Sequence, residues 1–348
     1  MTTRVLVTLF ITIAALCLMF ALVRTSRQQY DVKHGFNRTF NPGVRLQLVK
    51  SVPVESSLYI AGLSNGNIYF HTSDPYKIFY TDTTLNLLKT IVLPIDTAIS
   101  PYLTNGFSTA VRYPAVFIFA YNVASILIYN LQDGKQAVVP TPGNYNNAVQ
   151  ISDSAFMLKY FTGDSTDQSF CKLNIFTTQV TKNTQLTEDL SSGGMLLYNE
   201  QNAACYYVHN YNNRITIFDT AFNSGRTAHT IDTFTQSQIQ YLSKNRTNSD
   251  DMLYKPKGGR MLINYLSQLY DGRLYVNSVI KADNETVLTD KNETAIDIYN
   301  ANMDKYLESF HLPVPHKQHL KSFCIFNRKI LATYTNHIAL YEFSGLSK

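Results

Sequence analysis

The sequence predicts an all-β body, a closed ring of six small antiparallel sheets, preceded by one apolar helix. Three observations predict it. A short strand phrase ending in an aromatic and a turn residue recurs along the chain, clearest as Ile215-Thr-Ile-Phe218-Asp219. The residues closing successive copies, Tyr80, Tyr129, Phe176 and Phe218, lie 49, 47 and 42 residues apart, and Tyr299 and Tyr341 are again 42 apart. From Val44 onward, short alternating apolar segments between turn residues replace any long amphipathic helix.

Composition supports this reading. Of 348 residues, 45% are hydrophobic and 16% charged, enough apolar surface for a sizeable core. The 24 Tyr and 20 Phe, with many Thr, Val and Ile, suit strands. A net charge of +5 is spread over singly placed Lys and Arg, so no nucleic-acid partner is expected. Cys171, Cys205 and Cys324 form no CxxC and read as buried small hydrophobes, with one disulfide as the alternative.

Met1–Arg4 is a short tail. Val5–Val23 follows as 19 uncharged residues, just long enough to cross a hydrocarbon core of roughly 30 Å. The sequence Ala21-Leu-Val-Arg24 is a poor cleavage site, so the segment reads as a transmembrane signal-anchor that partners the membrane. A removed signal is the alternative; Leu16 weakens a lipidated Cys17. Arg24, Arg27 and Lys33 outweigh Arg4, which favours a cytoplasmic body by the positive-inside rule. The charge-poor body, rich in Tyr, Asn and Thr, favours export, and an extracytoplasmic body is the expectation. The sequons at Asn37, Asn245, Asn284 and Asn292 do not decide the matter.

Residues 24–42 read as a polar tether, and Val44–Val49 as a first strand. Asn65-Gly66 marks a hairpin between Leu58–Ile60 and Ile68–Phe70. Each phrase follows another strand: Ile68–His71, Val116–Ala120, Phe156–Tyr160, Cys205–His209, Leu274–Ile280 and Ile330–Tyr334. A further strand often comes after it, at Leu87–Leu93, Gln136–Val139, His229–Phe234 and Tyr306–Leu312. The phrase is therefore the third strand of a four-stranded unit. The last unit holds only three strands, and Val44–Val49 can complete it and close the ring.

Periods of about 40–50 residues mark propeller blades. Residues 44–343 thus form a six-bladed β-propeller, with 344–348 as a tail. A seventh blade is the alternative, hidden in the 81 residues between Phe218 and Tyr299. The chain resembles the β-propeller superfamily, in its six-bladed, membrane-anchored or exported form. It lacks Trp-Asp, Tyr-Trp-Thr-Asp and paired Gly-Gly/Trp signatures, so the resemblance implies fold and no functional residue.

Chemical motifs are few. Gly62-Leu-Ser64-Asn-Gly66 matches a nucleophile elbow literally, but its hairpin setting makes it a turn. His311, His316 and His319 cluster in a Pro-containing loop, and no metal site is assigned to them. Asp164–Asp167 and Asp283–Glu285 read as hydrated turns rather than calcium loops. No cofactor is expected. Blade-to-blade connections and second-to-third-strand connections share one end of a propeller, the mouth of its channel. Tyr145, His209, Tyr211, Arg214 and His319 are the candidate ligand-binding residues there. The expected role is binding of a protein, peptide or glycan. The alternatives are a hydrolase, lactonase or lyase at the mouth, or a structural subunit of an envelope complex.

Overall fold

The computed structural model describes residues 2–30, 33–103, 106–163, 166–245, 252–285, 292–302, 305–315 and 318–346. Six four-stranded antiparallel sheets follow one another along the chain as blades. Blade 1 comprises β2 (Tyr59–Ser64), β3 (Asn67–His71), β4 (Lys77–Asp82) and β5 (Lys89–Val92). Blade 2 comprises β6 (Phe107–Arg112) to β9 (Gln136–Pro140), and blade 3 runs from β10 (Tyr145–Ser152) through β11 (Ala155–Phe161) and β12 (Gln168–Asn174) to β13 (Val180–Glu188). Blade 4 comprises β14 (Gly194–Asn199), β15 (Ala204–His209), β16 (Arg214–Asp219) and β17 (Gly225–His229). Blade 5 comprises β20 (Asn264–Tyr270), β21 (Arg273–Ser278), β22 (Glu293–Asn300) and β23 (Lys305–Pro313). Blade 6 takes β24 (Ser322–Phe326), β25 (Lys329–Thr333) and β26 (His337–Ser344) from the end of the chain and β1 (Arg45–Pro53) from its start. The expected closure is present: β1 pairs with β26 from Arg45 opposite Ser344 to Pro53 opposite His337.

The 81-residue interval holds no seventh blade among the described residues. It contains a two-stranded hairpin, β18 (Gln240–Asn245) with β19 (Met252–Lys257). Two strands cannot bury two sheet faces, so this hairpin decorates the ring rather than extending it.

The core is divided among the seams. Six buried apolar clusters each join one pair of neighbouring blades, such as Ile215 and Ile217 with Leu274 and Val276 between blades 4 and 5. This explains the phrase. Its first and third residues face the next blade, while Phe218 faces back toward Phe170 and Tyr207 of the seam with blade 3.

Strand pairing corrects two copies. In blade 3, β12 ends at Asn174, and Leu173 opposite Phe156 matches Phe218 opposite Cys205. Phe176 lies three residues further on and is 77% exposed. In blade 1, Thr81 opposite Ile68 occupies the aromatic position, and Tyr80 faces the next blade. The recurring element is the turn residue. Asp82, Asn130, Asn174, Asp219 and Asn300 each accept, through side-chain Oδ1, the amide two residues on. Such Asx turns end the third strand and aim the fourth. They also move the fourth strand of blade 4 to Gly225–His229, earlier than His229–Phe234.

The Gly62–Gly66 motif is the β2–β3 hairpin, with Asn65 and Gly66 at positive φ. Ser64 Oγ accepts the Tyr113 amide at 2.9 Å, a turn contact rather than a nucleophile. Cys171, Cys205 and Cys324 are free and buried.

Residues 33–42, within the stretch expected as a tether, pack along blade 5 as an arm. Phe36 joins Ile263, Ile280 and Ala282 in a small apolar cluster. Arg38 is 3% exposed and donates to Asp297 Oδ1 at 2.8 Å and Oδ2 at 3.2 Å, to Glu285, and to the Ile280 carbonyl at 3.0 Å. Helix α1 (Thr2–Tyr30) precedes it, and its described apolar side chains, including Phe10, Ile13, Leu18 and Phe20, are exposed. Among the described residues no helix is long and apolar enough to cross a membrane.

Candidate functional site

Antiparallel pairing puts the connections after second and fourth strands at one end of the ring, the mouth. His209 ends β15 and Arg214 begins β16 across such a connection, which Asn212 tightens by accepting the Arg214 amide at 2.9 Å. Glu188 ends β13 and Lys159 lies within β11. The sheet register thus delivers four ionisable side chains to the seam between blades 3 and 4.

Their geometry is specific. Arg214 Nη2 donates to Glu188 Oε2, and Arg214 Nε donates to His209 Nε2 at 3.1 Å. That bond puts the imidazole hydrogen on Nδ1, which has no partner among the described residues. Burial, then Arg214 and Lys159, push His209 well below the usual imidazole range, so it is neutral. Lys159 is fully buried; its Nζ donates to the Ser192 carbonyl at 2.9 Å and Oγ at 3.0 Å, and sits 4.7 Å from the Tyr207 ring centre. Burial lowers its pKa to about 7, against the pull of Glu188 and Asp189. Glu188 is raised, because burial outweighs Arg214 and Lys159.

A cavity of about 390 Å³ opens beside this group, lined by Glu188, Asp189, Ser192, Asn212, Arg214 and Gln236 among others. Arg214 and Glu188 reach it; Lys159 and His209, both at zero exposure, stand behind the wall. Of the sequence-selected residues, His209 and Arg214 therefore come together. Tyr211 lies beside them against Gly193, where an added Cβ would come within 2.9 Å of its ring. Tyr145 opens β10 at the mouth end, but its side chain turns away from the cavities. It is buried in the seam of blades 2 and 3, donates to the Ser125 carbonyl at 2.7 Å and packs edge-on to Tyr121. Its place on the innermost strand turned the ring inward between sheets.

His319 lines a different and larger mouth cavity of about 510 Å³ between blades 5 and 6. Tyr265, from innermost strand β20, shares its wall with Asn277, Lys281, Glu293 and His311. The Asn277 amide is fixed by donation to Thr294 Oγ1 at 2.6 Å and the Ala295 carbonyl at 3.0 Å. His311 Nδ1 stands 3.7 Å from Glu293 Oε2 and stacks on Phe40 of the arm, 4.2 Å between ring centres. Sequence reasoning missed Tyr265 and Asn277. The polar excursion Asp283–Asn292, whose residues 286–291 lie outside the described residues, was the nearest signal. His311 and His319 share this wall and His316 lies outside the described residues; among those, no three metal-ligating side chains cluster. Asp164 also lies outside them. Asp283 and Asn284 hold the arm: Asp283 accepts the His34 and Gly35 amides at 2.7 and 3.1 Å, and Asn284 accepts the Arg38 amide at 3.0 Å.

The chain is a six-bladed propeller with two cavities at its mouth. No family model matches the chain, and no curated protein matches it. Among solved structures it is similar to a member of the DUF4221 family from Bacteroides vulgatus, at 15% identity and TM-score 0.57, covering 86% of this chain and 98% of that one. It is also similar to a protein of unknown function from Bacteroides thetaiotaomicron, at 11% identity and TM-score 0.51, covering 88% and 73%. At these identities the likeness shows the fold alone.

Proposed function

We propose that the chain is a membrane-anchored, extracytoplasmic binding module whose cavity between blades 5 and 6 takes a hydrogen-bonding ligand, a glycan or a peptide segment. One observation carries this reading. The cavity falls within the volume range of ligand sites and combines one aromatic ring, Tyr265, with amide, carboxylate and imidazole groups. An aromatic face stacks on a sugar ring or proline, and the planar polar groups pair with hydroxyls or peptide amides. Lys159 and His209, two bases whose charged forms burial disfavours, are sealed behind the other cavity.

Anchoring is supported by the uncharged run Val5–Val23, which lies in α1 with no charged residue on any side of that run. Export is supported by the charge-poor, Tyr- and Asn-rich body. Glycan and peptide arrays probed with the detergent-solubilised full chain test the reading. A hit should weaken about tenfold in Tyr265→Ala and in His319→Ala, a loss near 1.4 kcal/mol each, with unchanged thermal unfolding. Binding indifferent to both substitutions sinks it.

A further inference from the structure

We infer that the mouth face of the ring is turned toward the bilayer, so that ligands reach it in the layer between propeller and lipid headgroups. This rests on the anchored reading and adds its orientation. The observation is where the arm docks. Its first described residues grip the mouth face: the Lys33 ammonium donates to the Asp283 carbonyl at 2.5 Å, and His34 and Gly35 amides bind the Asp283 carboxylate. Asp283 returns its own amide to the Phe36 carbonyl at 2.8 Å, and Asn284 donates to the Arg38 carbonyl at 2.7 Å. Asp283 lies in the β21-to-β22 connection, which is a mouth connection.

Chain reach then limits the geometry. Tyr30 ends α1 and Lys33 is already docked, so their α-carbons are at most about 11 Å apart. Adding the seven helical residues past Val23 puts the end of the apolar run within about 22 Å of the docked Lys33 α-carbon. The opposite face is a further strand length away, roughly 20 Å. The β18–β19 hairpin stands on the same face, held by Tyr241 Oη donating to the Leu190 carbonyl at 2.9 Å. It exposes Leu242, with Lys257 and Arg260 exposed at its base, a mixture that suits an anionic headgroup layer.

The test uses the full chain carrying Cys17→Ser, reconstituted in phosphatidylcholine–phosphatidylglycerol vesicles that contain nitroxide-headgroup lipid. The other native cysteines are buried. A fluorophore on Gln236→Cys, at the mouth, should be quenched several-fold more than one on Gln132→Cys, in the turn at the opposite end. Releasing the arm with Asp283→Ala and Asn284→Ala should shrink that difference. Equal quenching at both sites in vesicle-bound protein, or a difference untouched by arm release, overturns the orientation alone. Protein that does not float with the vesicles overturns the anchored reading and the orientation with it.

Discussion

Two buried charge clusters lie under the same face of this ring, and they are built on opposite plans. In the clasp of blade 5, Arg38 meets Asp297 bidentately and Glu285 as well, and Ser309 Oγ donates to Asp297 at 2.6 Å. Burial works against the Arg38 charge, and Asp297 with Glu285 more than offsets it, so Arg38 stays ionised. In the seam of blades 3 and 4, Glu188 is claimed by Arg214, and Lys159 is left with the neutral oxygens of Ser192. One cluster is a closed clasp joining segments far apart in sequence. The other is half open, with one cation at a cavity and one held near neutrality behind it. Burial alone therefore says little about a charge; the number of compensating partners decides its state.

The largest expected effect is on the clasp. Asp297→Ala strands Arg38 in the interior and should cost about 3–5 kcal/mol, read from urea unfolding. A loss below about 1 kcal/mol would mean that the arm leaves the ring easily and the clasp is not structural.

Lys159→Met should act in the opposite direction, stabilising by roughly 1–4 kcal/mol at pH 6. The sign follows from protons. The folded pKa is about 7 and the unfolded value near 10.5, so between them the unfolded chain binds more protons. Wild-type stability should therefore rise from pH 7 to pH 10 through this residue, and the rise should be reduced in Lys159→Met. Matching slopes in the two proteins would show that Lys159 is solvated and the seam open.

Arg214→Met should cost only about 1 kcal/mol, since its side chain is 38% exposed and water screens its pairing with Glu188. The smallest effect belongs to Phe176→Ser, within about 0.5 kcal/mol because that side chain is exposed. Its counterpart by sequence, Phe218→Ala, should cost about 3–5 kcal/mol from a packed seam. Equal losses for the two would contradict the strand register of blade 3.

Much of the ring was legible because its signals are local. Alternation within Ile215–Phe218 and the Asx residue after it are written within a few positions, and their spacing repeats. The copy at Leu173–Phe176 misled for the same reason: an apolar, aromatic run looks alike whether it packs in a strand or sits beyond its turn. Only pairing with β11 separates the two. Among site residues, His209 and Arg214 were found because a short mouth connection brings strand ends together, while the burial of the Tyr145 side chain at the same end depends on a packing direction that sequence does not give.

The sequence by itself determined the blade count, the closing strand and an apolar N-terminal helix, since each depends on patterns within one or two adjacent segments. Tertiary structure decided the rest. Arg38 meets Asp297 across 259 residues, and Lys159 meets Ser192 across a blade boundary. Such partners share no spacing that a one-dimensional reading could recognise. Their charge states depend on how much water the completed ring excludes.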